Sequence, residues 1–144
     1  MTTSTTCELC LQPGGEICWE DGSCRVILVP GQEGRAFPGY CRVVWRAHVA
    51  EMTDLAAAER QHLFDLVLAT ETALRRLCRP DKINLASLGN VVPHLHWHVI
   101  PRCRDDSHFP APIWAAGKRP APAGRAAPDA DAIGKCIAAV LASP

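Results

Sequence analysis

The sequence predicts an α+β fold, an antiparallel sheet of about five strands with one long helix packed across it and a short C-terminal helix. Three observations carry that reading. Short segments rich in β-branched and aromatic residues alternate with Gly, Pro and Asp turns. One long stretch repeats its apolar residues every three or four positions. Two of the strand-like segments are joined by a short Gly-Asn connection that suits an antiparallel pair.

Residues 16–19, 24–29 and 40–45 read as the first strands. Asp21-Gly22-Ser23 turns between the first two, and a Gly/Pro-rich loop over 31–39 leads to the third. Thr53 or Asp54 can cap the free N–H groups of a helix whose buried stripe includes Leu55, Leu63, Leu66, Val67, Leu74 and Leu77. Arg75, Arg76 and Arg79 suit its negative end, and Pro80 stops it. Residues 82–88 form the next strand, Gly89-Asn90 turns, and the last strand runs on to Arg102. After Ser107 the chain becomes rich in Pro, Ala and Gly, which predicts an irregular arm. Pro128-Asp129 then opens the final helix through Ile133, Ile137, Val140 and Leu141. The expected division is a main domain over 1–114 and an arm with its helix over 115–144.

Fifteen basic residues balance fifteen acidic ones across 144 positions, so no net field draws the chain to nucleic acid or to a membrane surface. No run approaches a membrane span, and Met1 to Cys7 lacks the charged and apolar regions of a secretory signal. A soluble cytoplasmic protein is expected, with its eight cysteines reduced.

The densest chemistry lies in His94-Leu95-His96-Trp97-His98-Val99-Ile100. A strand sends successive side chains to opposite faces, so the three imidazoles share one face and Leu95, Trp97 and Val99 form the other. An unperturbed imidazole has a pKa of about 6.5, so much of it is a neutral nucleophile at neutral pH. Its neighbour can hold a phosphoryl oxygen or protonate a departing one. There is no Walker-type loop and no carboxylate cluster suited to magnesium, which favours histidine-centred phosphorus chemistry over metal-centred transfer. Arg102 and Arg104 would continue the same face, as phosphate-steering groups or as solvated charges. Trp114, in the arm, can stack on a base or cover a flank of the sheet.

This pattern resembles the signature of the histidine triad (HIT) superfamily of nucleotide hydrolases and transferases. Residues 82–93 and Ile100-Pro101-Arg102 are similar to its bacterial members related to diadenosine polyphosphate hydrolases. The resemblance implies a homodimer of α+β subunits and catalysis through a covalent nucleotidyl-histidine. His96 would be the nucleophile, His98 the phosphate-binding or leaving-group partner, and Asn84 and Asn90 contacts to ribose or phosphate. Relatives often carry Gln at the position of Asn90 and Ser or Thr at that of Val91, so one phosphate donor is lost here. Asn84 and Asn90 also have structural readings, the first satisfying backbone groups and the second tolerating a tight turn.

Cys7-Glu8-Leu9-Cys10 has the spacing of a metal knuckle, although it lacks the second pair of a conventional finger. Zinc-bearing relatives complete such a pair with two histidines, matched here by His48 and His94. The resemblance therefore implies a structural zinc held by Cys7, Cys10, His48 and His94. The expected substrate is an NMP-bearing phosphoanhydride or phosphoramidate, with a non-catalytic nucleotide-binding or scaffold protein of the same fold as the rival reading. A metal centre formed by His94, His96 and His98 together is disfavoured, because same-face residues along a strand do not converge on one ion.

Overall fold

In the computed structural model, which describes residues 2–143, the strands are β1 (Glu16–Glu20), β2 (Cys24–Leu28), β3 (Cys41–Trp45), β4 (Lys82–Ala86) and β5 (His96–Arg102). They form one antiparallel sheet in the order β1-β2-β3-β5-β4. The helices are α1 (Glu8–Leu11), α2 (Gly31–Ala36), α3 (Ala57–Cys78) and α4 (Ala130–Ala142). The expected class and the long and C-terminal helices are thus present.

The period-two pattern decides what each face of the sheet does. Cys24, Val26, Cys41, Val43, Trp45, Leu95 and Val99 point into one core beneath α3 and α4, where Leu63, Leu66, Val67, Leu74, Ile133 and Ile137 complete it. Ile27, Val44 and Ile100 point the other way and pack with Leu9, Phe37, Tyr40 and Ile113. This second face, covered by short segments instead of long helices, is where the triad lies.

Local differences from the sequence reading have physical causes. One short helix replaces part of the expected loop at 31–39, running from Gly31 after Pro30 and closing with Phe37 N–H donating to the Glu33 carbonyl. Phe37 is buried, so tertiary packing holds a turn that its glycines disfavour. Neither Thr53 nor Asp54 caps α3. They belong to a separate 3₁₀ turn, Met52–Asp54, and α3 starts at Ala57, where the Glu59 carboxylate accepts the Ala56 N–H. The histidine strand begins at His96, and residues 87–95 form a loop longer than the two-residue turn expected. His94 is fully buried in that loop.

The C-terminal helix is held close to the sheet edge. Gly134 on α4 approaches β1 so nearly that a Cβ there would overlap the Cys18 carbonyl oxygen. Gly134→Ala is predicted to push α4 away from the core and cost about 1–3 kcal/mol. A denaturant midpoint unchanged from wild type would contradict that packing.

Candidate functional site

The β3–β5 register builds the floor of the site. Val44 pairs with His96 and Arg42 with His98, which brings Arg42 to the face that carries both imidazoles. Above them lies a cleft of about 490 Å³, rimmed by Leu9, residues 88–92 and Trp114. The rings of His96 and His98 meet edge to face with centroids 4.9 Å apart, and Trp114 stands at the same distance from His98.

Hydrogen bonds fix the orientation of both rings. His96 Nδ1 lies 2.6 Å from the His94 carbonyl oxygen. A carbonyl only accepts, so the proton is on Nδ1 and the lone pair is on Nε2, on a ring that lines the cleft. His98 Nδ1 lies 2.6 Å from the Tyr40 hydroxyl. Burial pushes the Tyr40 phenol up to about 12, so it keeps its proton at any physiological pH. Burial pushes His98 down to about 3, with the neighbouring His96 and Arg42 adding to the effect. Burial also lowers His96, partly offset by its bond to the His94 carbonyl. Both imidazoles are neutral at pH 7.

Behind this pair, His94 turns its side chain the other way. Its Nε2 lies 2.6 Å from the Trp45 carbonyl and therefore donates, which leaves the lone pair on Nδ1. That nitrogen sits 3.4 Å from Cys7 Sγ, 3.5 Å from Cys10 Sγ and 3.3 Å from His48 Nδ1, and Cys10 Sγ is 3.4 Å from His48 Nδ1. The four ligand atoms all lie within 4.8 Å of one another. A tetrahedral ion about 2.0–2.1 Å from nitrogen and about 2.3 Å from sulfur needs N–N edges of about 3.3 Å and N–S edges of about 3.5 Å. The group could hold a metal ion, and its donor set is closed. Cys7 and Cys10 are presented by α1, a helix too short to leave a periodic signal, where the Cys7 carbonyl accepts the N–H groups of Cys10 and Leu11.

Other singled-out residues stand elsewhere. Asn90 lines the cleft, while the left-handed turn beside it belongs to Gly89, with φ 82°. Arg102 is buried, bound in bidentate fashion to Asp106 at 2.8 and 3.0 Å, and its Nη1 donates to Asn84 Oδ1. Burial opposes ionisation of Asp106, but Arg102 and the N–H groups of His108, Phe109 and Cys103 hold its pKa down at about 2. The structure therefore places Arg102 and Asn84 in a scaffold network beside the cleft. His62 pairs with Asp21, and His108 with Ser107.

Three residues escaped the sequence reading. Arg25, buried on β2, donates to the carbonyls of Leu9, Gln12 and Pro13 and so staples the cysteine segment over the sheet. Tyr40 and Arg42 share the histidine face; strand alternation puts them on one side of β3, but only the pairing with β5 shows whose face it is.

Paired neutral imidazoles on an antiparallel sheet, backed by a Cys/His cluster, define a compact histidine-centred site. The HIT domain model matches residues 28–105, and the chain belongs to that family. It is 30% identical over 78 residues to an AP-4-A phosphorylase of Mycobacterium tuberculosis, a match covering 50% of this chain and only 40% of that relative's length. A histidine triad protein from Marinobacter aquaeolei VT8 superposes with a TM-score of 0.68 at 29% identity, covering 84% of this chain and 83% of the other. A histidine triad family protein from Mycobacterium smegmatis, described as Zn-bound, shares the fold with a TM-score of 0.60 at 22% identity over 95% and 94% of the two chains. Among the described residues no helix is long and apolar enough to cross a membrane.

The depressed His98 makes stability acid-sensitive. Unfolding returns it to about 6.5, so below that pH the unfolded chain binds more protons than the folded one, and stability is lost as pH falls from about 6.5 toward 3. The slope reaches at most about 1.4 kcal/mol per pH unit. Urea unfolding of His98→Gln between pH 7 and 4.5 should show a shallower loss than wild type. Equal slopes would count against the neutral buried ring.

Proposed function

We propose that this protein is a nucleotide hydrolase or transferase that cleaves at the α-phosphate of an NMP-bearing phosphoanhydride or phosphoramidate. One observation carries the reading: the His94 carbonyl locks the proton of His96 on Nδ1, so an unprotonated Nε2 belongs to a ring lining the cleft. Nε2 attacks the α-phosphorus, an N–P bond forms, and the bond to the leaving group breaks with its electron pair on the departing atom. The Tyr40 hydroxyl can donate to His98 Nδ1, which leaves the His98 proton on Nε2 to hold a phosphoryl oxygen, while a leaving group that needs a proton takes it from water. Water then cleaves the N–P bond, releasing NMP and restoring the neutral ring. Asn90 on the rim is the polar candidate for a ribose or phosphate contact, and Trp114 beside His98 can flank the nucleotide.

Cys7, Cys10, His48 and His94 would hold a structural zinc in this reading. The ion would supply cohesion, with two thiolates balancing its charge and four ligands leaving no open position. Zinc in the Mycobacterium smegmatis protein of the same fold supports that assignment. A homodimer fits the exposed Leu85 on edge strand β4 and Leu88 just beyond it, and a cytoplasmic setting fits eight free cysteines.

Intact-mass analysis with a slow nucleotide substrate should reveal a nucleotidyl adduct that is absent in His96→Ala, whose turnover falls more than about a thousandfold. Nucleotide binding with no adduct and no turnover in wild type would favour the scaffold reading. Metal analysis of Cys7→Ser should show zinc lost from a protein that otherwise carries about one ion per chain. Full retention would refute the ligand set.

A further inference from the structure

The geometry points to Arg42 as the residue that selects the leaving group, binding the anionic phosphate beyond the scissile bond, so that phosphoanhydrides are favoured over phosphoramidates. This rests on the function proposed above and narrows its substrate class.

Arg42 is the one Lys or Arg among the described residues that line the cleft, where Glu8 and Glu33 are the acidic residues. Left alone, those carboxylates would repel a polyphosphate leaving group. Arg42 pairs across the strands with His98, one step along the floor from the Val44–His96 pair. In-line displacement sends the leaving group away from the attacking nitrogen. A polyphosphate whose scissile phosphorus sits at His96, and whose further phosphates run along the floor past His98, comes to the strand position of Arg42.

The arginine is also underused. Its Nε is buried and has no hydrogen-bond partner, and its contact with Glu33 on α2 is a stretched 3.4 Å on a part-exposed surface. Such a bridge contributes about 0–1 kcal/mol, less than a bidentate guanidinium–phosphate pair. Exchanging Glu33 for a phosphate would replace a stretched carboxylate contact of Nη2 with a stronger charge-assisted one. The Tyr40 ring, 5.5 Å from the guanidinium carbon, keeps the side chain over the site during the exchange.

The test compares kcat/KM for a dinucleoside polyphosphate with that for adenosine phosphoramidate, whose leaving amine carries no phosphate. Arg42→Gln should lower the polyphosphate-to-phosphoramidate ratio at least about tenfold, with Arg42→Lys falling between it and wild type. Glu33→Gln should raise the ratio by about threefold, because it frees the guanidinium. A ratio that stays within about twofold of wild type in Arg42→Gln and Glu33→Gln, even if both rates fall together, would overturn the assignment. Circular dichroism identifies any variant that does not fold, and the ratios of Glu33→Gln and Arg42→Lys then decide the matter. Failure of the underlying reading looks different, since wild type would then form no adduct and turn over neither substrate.

Discussion

The 2.6 Å hydrogen bond from His96 Nδ1 to the His94 carbonyl is the constraint on which the site depends. It spans only two residues, and it works because His94 itself cannot move. That residue is fully buried, its Nε2 is bound to Trp45, and its Nδ1 faces Cys7, Cys10 and His48. One residue thus serves two sites in different ways, its side chain in a ligand cluster and its carbonyl in setting a tautomer. Arg25 extends the same logic outward by holding the backbone that carries the cysteines.

The sheet supplies the second constraint. Because β3 and β5 alternate, Val43, Trp97 and Val99 pack into the core beneath α3 while Arg42, His96 and His98 face the cleft. Trp97 and Val99 secure β5 from below while His96 and His98 are presented above. Burial that stabilises the strand also strips water from the imidazoles, which keeps them neutral. Fold stability and nucleophilicity therefore come from the same packing.

Much of this was legible in the residues. The alternating histidines announced a strand and a common face for His96 and His98, and the three-four spacing of α3 located the long helix. The Cys7–Cys10 spacing suggested metal, but the partners His48 and His94 came from family resemblance, and only the folded chain brings the four ligand atoms together. Arg102 shows the limit of parity reasoning. It does lie on the histidine face, but Asp106, four residues on, claims it in a buried ion pair that no strand pattern reveals. Arg42 shows the converse. Its chemistry is set by a pairing partner more than fifty positions away, and cross-strand register is a property of the whole sheet.

The cleft's walls have a different origin from its base. The base is two hydrogen-bonded strands, whereas Leu9, Val91 and Trp114 arrive from three stretches far apart in the chain, and Val91 and Trp114 are 93% and 46% exposed. Side-chain changes at Leu9, Val91 or Trp114 alter what the opening admits, while the His94 carbonyl still sets the orientation of the His96 ring. The shape of the opening and the set of the two rings are thus governed by separate parts of the chain.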